Sequence, residues 1–370
     1  MNFTHLHVHT EYSLLDGSNK IQEYVNRVKE LGMDSAAITD HGVMYGVIDF
    51  YRAARAAGIN PVLGCEVYVA PGSRFDREIG SGDDRYYHLV LLAENNQGYA
   101  NLMKIVSKSF VEGFYYKPRV DLQLLEKYHE GLIALSACLA GEVARYLTRG
   151  MYEDAKAAAL RYQDIFGKGN FFLELQDHGI PEQQNVNQQL LKMHRETGIE
   201  LVATNDVHYT LAEDAQPHDV LLCLQTGKKL SDENRMRYDG GQYYVKSPEE
   251  MERLFPYATE ALENTHKIAQ RCHVEIEFGV TKLPKFDVPQ GYTSWEYLNE
   301  LCFKGLEERY QPVTEELKER LNYELSTIKN MGYVDYFLIV WDFIRYARDH
   351  DIMVGPGRGS AAGSLVAYTL

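Results

Sequence analysis

Nine side chains able to ligate metal stand where strand-like runs of the sequence end: His7, His9, Asp16, His41, Glu66, His88, Cys138, Asp206 and His208. In a barrel of parallel strands, such positions meet at one rim, where the catalytic residues of these barrels sit. A single zinc takes about three or four protein ligands, so the set implies a cluster of two or three divalent ions, drawn from zinc, manganese and magnesium. His7 and His9 lie two residues apart, share a strand face and can chelate one ion. Asp206 and His208 repeat that spacing. Glu66, with two carboxylate oxygens, reads as the bridge between cations. Such ions lower the pKa of water and neutralise a phosphate and its leaving oxygen. Phosphoester hydrolysis is the chemistry this set suits, with Glu66, His7 and Asp206 acting through the metals.

The other candidates read more plainly. A solitary histidine is normally a core or surface residue, and His129, His178, His194, His218, His266, His273 and His350 are read that way. His5, on the same face as His7 and His9 but farther from the rim, is expected to orient a ligand, as is Asp40 beside His41. Cys65 alternates away from Glu66 and reads as structural. Cys138 rises above a buried small hydrophobe only through its place after the run 132–136.

The elements that must carry these residues alternate. Strand-like runs occur at 3–9, 36–39, 61–69, 88–93, 132–136, 171–175 and 201–204. The first helix follows Ser18 and Asn19, keeps Ile21, Tyr24, Val25, Val28 and Leu31 at helical spacing, and stops at Gly32. Further helices are expected at 46–57, 97–109, 153–166 and 183–196. Seven strands separated by helical segments predict an α/β fold of parallel βαβ units closed into a distorted (β/α)7 barrel. The pattern changes near residue 275. The proline-marked passage 282–289 reads as a linker. An amphipathic stretch follows with Leu317, Leu321, Leu325, Ile328 and Met331, then an aromatic segment at 333–346 and a glycine- and serine-rich run from 354. The expected domains are a metal-binding barrel at 1–278 and, at 279–370, a linker with the incomplete beginning of a second domain.

Composition bounds these readings. The 370 residues, 45% hydrophobic and 25% charged, can bury a substantial core and fit one large domain plus part of another. No run reaches the ~18 apolar residues of a membrane helix, and the start MNFTHLHVHT lacks a basic-then-apolar leader, so a cytoplasmic location without membrane partners is expected. Five cysteines without a CxxC pair suit a reducing compartment. The net charge of −15 opposes nucleic-acid binding through the global field, so contact with DNA must come from local surfaces.

HLHVHTEYS at 5–13, LLDG at 14–17, ITDHG at 38–42, GCEVY at 64–68, YHLV at 87–90 and ATNDVH at 203–208 resemble motifs of the polymerase and histidinol phosphatase (PHP) superfamily. The resemblance extends along the whole chain to its branch of bacterial replicative polymerases, the DNA polymerase III alpha subunits. Free-standing phosphatases of the superfamily tend to carry histidine where this chain has Asp16 and Cys138. The run GPGRGSAAGSLVAY at 355–368 resembles the opening of that family's palm domain. There Arg358, Gly359, Ser360, Gly363 and Ser364 are expected near a nucleotide triphosphate: glycines let backbone approach phosphate, while serine and arginine donate to it.

The resemblance implies a PHP barrel followed by a truncated α+β palm segment, within a family of DNA-directed nucleotidyltransferases. Its partners would be DNA, deoxynucleoside triphosphate in the full-length protein, and replicase subunits such as a proofreading exonuclease or sliding clamp. The family's catalytic palm carboxylates lie downstream of the glycine-serine loop, so the chain reads as an N-terminal fragment unable to synthesise DNA. Ligand-type residues at all nine positions favour an active metal-dependent phosphoesterase in the barrel, a 3′-to-5′ proofreading exonuclease. The alternative is a silent, metal-stabilised module that docks a separate proofreading subunit. A stand-alone histidinol-phosphatase-type enzyme ranks third, because nothing in such an enzyme requires residues 290–370.

Overall fold

The computed structural model describes residues 2–77, 85–355 and 357–370. They form two compact units, Met1–Ile276 and Glu277–Leu370. The first is built on β1 (Ser35–Ile38), β2 (Asn60–Val69), β3 (Tyr87–Ala93), β4 (Arg119–Val120), β5 (Leu132–Leu135), β6 (Phe171–Leu175) and β7 (Leu201–Ala203). The sheet runs β1-β2-β3-β5-β6-β7, with β4 paired to β2. The segment 3–10, where a first strand was expected over 3–9, makes only isolated bridges, yet it closes the barrel. His9 N donates to Val207 O at 2.7 Å, Val207 N to His7 O at 3.0 Å, and Thr39 N to Val8 O at 2.9 Å. It therefore spans the gap between the chain leaving β7 and the chain leaving β1.

The expectation of uniformly parallel strands is corrected at β3. The pairs β1–β2, β5–β6 and β6–β7 are parallel, but β3 is antiparallel to both β2 and β5. A parallel return needs a long crossover, usually a helix, and the described residues between β2 and β3 contain none. The chain doubles back instead. His88, near the start of β3, thus arrives at the rim that the neighbouring strands reach with their ends.

Side chains alternate across the strands, so Val62, Glu66 and Tyr68 share one face of β2, and Tyr68 pairs in register with His88. A buried apolar plug that includes Leu6, Val62, Leu92, Ile133, Phe172 and Val202 fills one part of the interior. The polar inward residues are left at the other end. Outside the sheet, helices bury apolar faces against it, Ile21, Tyr24, Val25 and Val28 on Ile21–Glu30, and Phe50 and Ala54 on Val47–Ala57. The turn that carries Asp16 depends on Gly17, where an added Cβ would stand 2.2 Å from Thr10 O.

The second unit holds the helices Ser294–Arg309, Glu315–Asn330, Val334–Asp349 and Leu365–Thr369 around Leu298, Cys302, Leu306, Leu321, Leu325, Leu338 and Val366. Thr293, Thr314 and Ser364 cap three of them with side-chain oxygens. Gly305 lets the first approach the last, since a Cβ there would meet Thr369 O at 1.7 Å. Where an α+β segment was expected, the described residues of this unit contain helices and no strand. Its apolar residues recur three or four apart, the period of a helix face and not of a strand. No described helix is long and apolar enough to cross a membrane.

Candidate metal centre

The closed rim gathers ligand-type side chains from every direction. His7 and His9 come from the closing segment, Asp16 from the turn behind it, and His41 from the end of β1. Glu66 lies within β2, His88 within β3, Cys138 beyond β5, and Asp206 and His208 beyond β7. His7 Nε2 lies 3.4 Å from Glu66 Oε1 and 3.2 Å from Asp206 Oδ1. His9 Nε2 lies 3.3 Å from Glu66 Oε2 and 3.2 Å from Asp206 Oδ1. Glu66 Oε1 also meets His88 Nδ1 at 2.8 Å, and its Oε2 meets His41 Nδ1 at 2.7 Å. Cys138 Sγ is 3.7 Å from His88 Nδ1. Asp16 reaches His41 Nε2 at 3.2 Å and His208 Nε2 at 3.9 Å. The structure thus joins all nine residues into one connected cluster, with Glu66 at its middle.

Metal fit can be judged from the polar atoms that the fold leaves unpaired. His7 Nε2, His9 Nε2, both ring nitrogens of His41, Asp16 Oδ1, Glu66 Oε2 and Asp206 Oδ1 are buried and make no well-aligned hydrogen bond among the described residues, only the close contacts within the cluster given above. Folded proteins rarely leave such atoms orphaned, and here the orphans face one another. Three sets bring their ligand atoms within 4.8 Å: His7, His9 and Glu66; His41, Glu66 and His88; and His9, His41 and His208. Imidazoles, carboxylates and a nearby thiol form a donor set that fits divalent metal.

Neighbouring groups aim these lone pairs. His7 Nδ1–H donates to Glu174 Oε1 at 2.7 Å, which turns Nε2 inward. His208 Nδ1–H donates to the Asp206 carbonyl at 2.7 Å. His9 Nδ1 meets Ser13 Oγ at 3.1 Å, and that hydroxyl donates to Asp40 at 2.7 Å. Asp206 has a φ of 43°, uncommon for a residue with a side chain. Asn205 beside it is anchored: its amide donates to the Gln242 and Tyr244 carbonyls at 2.8 Å, and its carbonyl accepts from His178 at 2.8 Å.

The electrostatics follow from crowding buried charges. Burial opposes charge on His7, but Asp206, Glu174 and Glu66 together raise its pKa well above the usual imidazole value. His9 is lowered to about 3 by burial and by His41 and His208. Burial also opposes charge on His41, yet Glu66 and Asp16 lift it to about 10. Despite their burial, Asp16, Glu66 and Asp206 are held below the ordinary carboxylate range by the imidazoles around them. Burial, then Glu66 and Asp206, pushes the Cys138 thiol up. Metal-free, the pocket therefore holds protons on His7 and His41 that a cation must displace.

Some contacts at the rim differ from the sequence reading. His5 donates to the Lys246 carbonyl at 2.8 Å and packs edge-on against Phe3, so its ring is engaged away from the nine and not in orienting a ligand. The irregular course of 3–10 breaks the alternation on which that expectation rested. Asp40 acts as expected, through Ser13. Glu174, Ser13 and Tyr238, whose hydroxyl is 3.1 Å from His208 Nε2, were missed. His218, read as background, hydrogen-bonds the Asp16 carbonyl. Only Glu174 left a signal, as the one charge in the apolar run 171–175.

Residues 5–178 match the PHP domain family, and residues 296–370 match the family described as the bacterial DNA polymerase III alpha NTPase domain. DNA polymerase III subunit alpha of Treponema pallidum is 49% identical over the whole chain, and that of Borreliella burgdorferi is also 49% identical over the whole chain. The chain belongs to the DNA polymerase III alpha-subunit family. It spans 32% of the length of each of these two relatives. A solved amidohydrolase from Chromobacterium violaceum shares 15% identity over 56% of this chain and 88% of its own, with a TM-score of 0.38, a likeness too slight to bear on the site.

Within the family's second matched region, the loop expected to face nucleotide is only partly free. Arg358, Gly359, Ser360 and Gly363 are exposed. Ser364 is occupied. Its hydroxyl donates to Glu324 at 2.8 Å and accepts from Ala367 N as the cap of Leu365–Thr369.

Proposed function

We propose that the rim is a divalent-metal phosphoesterase site within a replicative polymerase chain, and that it removes nucleotides from a 3′ end. The observation that carries this reading is the set of buried, unpaired imidazole nitrogens and carboxylate oxygens turned toward one another around Glu66. His7, His9, Glu66 and Asp206 would hold one cation; His41, Glu66, His88 and Cys138 would hold another; Asp16 and His208 would complete the cluster. Two or three ions of zinc, manganese or magnesium would supply an activated water and charge neutralisation. The chain's own part is positioning. Glu174 fixes His7, Ser13 and Asp40 fix His9, and the 14% and 15% exposed side chains of His41 and His88 mark the side by which a phosphate enters.

Residues 279–370 are read as the linker and beginning of the palm, with Arg358, Gly359, Ser360 and Gly363 left to meet a deoxynucleoside triphosphate in the full-length protein. DNA and other replicase subunits, such as a proofreading exonuclease or a sliding clamp, are the partners this membership suggests, in the cytoplasm. One observation favours a second role. The barrel is closed by the isolated bridges of 3–10, so metals joining His7 and His9 to Asp206 and His41 would staple that closure.

The test is hydrolysis of a simple phosphodiester and release of 3′ nucleotides in added manganese or zinc. His7→Ala and Asp206→Ala should each lower the rate by orders of magnitude. If the metal-loaded chain hydrolyses no faster than these variants but melts far higher, the metals are structural and the silent docking module replaces the nuclease.

A further inference from the structure

Exposure of the metal centre is greatest at His41 and His88. His7 and His9 have fully buried side chains, whereas those of His41 and His88 are 14% and 15% exposed. On that side the sequence places aromatic rings and cations in alternation. Tyr68 is buried against the open imidazoles, its ring 6.3 Å from that of His41 and 5.3 Å from that of His88. Tyr86 packs edge-on to Tyr68 at 4.9 Å, and its ring lies nearly parallel to His88, 10° apart at 6.1 Å. Lys117 Nζ stands 5.3 Å from the Tyr68 ring centre, and the Arg85 guanidinium stands 4.7 Å from the Tyr116 ring centre. Register places the whole turn, because Arg119 just beyond it pairs with Tyr68 across β4 and β2. Tyr116 is 61% exposed and holds a φ of 62°, a strained conformation for an aromatic residue.

Neither Arg85 nor Lys117 pairs with a carboxylate among the described residues. In a chain of net charge −15, two cations that make no ion pair among the described residues, beside an acidic metal centre, are suited to an anion. A small phosphate ester would need only the metals. The exposed ring of Tyr116 and the half-buried ring of Tyr86, interleaved with cations, match unpaired bases on a phosphodiester backbone, and a duplex would hide the base faces that stack.

Resting on the reading of the rim as a phosphodiester site, we propose that Tyr86 and Tyr116 stack the bases, and Arg85 and Lys117 hold the phosphates, of a single-stranded nucleic-acid end led into the centre between His41 and His88. Tyr68 is the positioning residue behind them.

The experiment is fluorescence anisotropy of a labelled short oligothymidylate with the full chain in chelator, so that binding is read whether or not the rim hydrolyses anything. Tyr86→Ala and Tyr116→Ala should each weaken binding about tenfold, while Tyr116→Phe, which keeps the ring, should bind as the parent does. Lys117→Gln should weaken binding and lower the salt dependence by about one unit of slope. Circular dichroism melts identify any variant that fails to fold, in which case Tyr116→Phe against Tyr116→Leu decides. Unchanged binding in both tyrosine variants, equal loss in Tyr116→Phe, or no binding by the parent chain would overturn the proposal. Failure of hydrolysis with this binding pattern intact would count against the phosphoesterase reading alone.

Discussion

Glu174→Gln separates a metal centre from a coincidental knot of hydrogen bonds. Glu174 Oε1 accepts from His7 Nδ1–H at 2.7 Å, and both side chains are completely buried, so solvent screening does not weaken the contact. The same oxygen accepts from Thr204 Oγ1 and Gln176 Nε2, whereas Oε2 has no hydrogen-bond partner among the described residues. A glutamine would therefore keep its carbonyl oxygen on His7 and turn its NH2 to the empty side, preserving geometry while removing charge. Hydrogen bonds to charged groups are worth about 1.5–3 kcal/mol and neutral ones about 1 kcal/mol. The loss of up to about 2 kcal/mol corresponds to as much as roughly thirtyfold weaker metal binding, which overlaps the roughly 10–100-fold range seen when a group behind a metal ligand is removed. The assay is zinc affinity by competition with a chromophoric chelator at high pH, where the competing proton on His7 interferes least. Affinity within twofold of the parent, in a variant that melts normally, would refute the claim that His7 is a ligand oriented by Glu174.

Three further outcomes follow from the same geometry. Chelator should lower the melting temperature by about 5–10 °C, the effect of removing a cation held at about a hundred times its dissociation constant from a unit of this size; an unshifted melt would remove the staple from the account. Acid should destabilise the metal-free fold. Burial lowers His5 and His178 to about 4, so between about pH 6.5 and pH 4 the unfolded chain binds the extra protons and stability falls as pH falls. Urea melts should show about 2 kcal/mol lost per imidazole on reaching about pH 5, and equal midpoints at about pH 7 and pH 5 would contradict the burial. Gly98→Ala should cost about 3 kcal/mol or more by denaturant titration, because its Cβ would meet the Gly131 carbonyl oxygen at 1.8 Å. A loss under about 1 kcal/mol would mean that this backbone contact is looser than described.

The site could be read from the sequence because its ligands sit beside apolar runs, and apolar runs betray strands. His7, His9, His41, Asp206 and His208 could all be placed that way. His88 was placed at the right rim for an incomplete reason, since β3 runs backward. The clue was present, as no helical pattern separates 61–69 from 88–93, and without a crossover the two strands had to pair antiparallel. Glu174 was overlooked because one acid in an apolar strand carries no spacing that points to a partner more than 160 residues away. Ser13 and Tyr238 act through contacts made only on folding. His5 was misjudged because alternation was assumed for a segment whose backbone bridges two strand ends in place of joining a ladder. In the second unit, the helical spacing of Leu317, Leu321 and Leu325 was readable, but the capture of Ser364 by Glu324 was not.

Whether the rim holds metal is tested most directly by an anomalous-scattering map of crystals grown with zinc or manganese, recorded at the absorption edge of the added ion. Two or three peaks should lie inside the ring of His7, His9, Asp16, His41, Glu66, His88, Cys138, Asp206 and His208, with Glu66 between two of them. A map without peaks in that ring, or with peaks ligated by other residues while these nine stay paired to one another, would contradict the account.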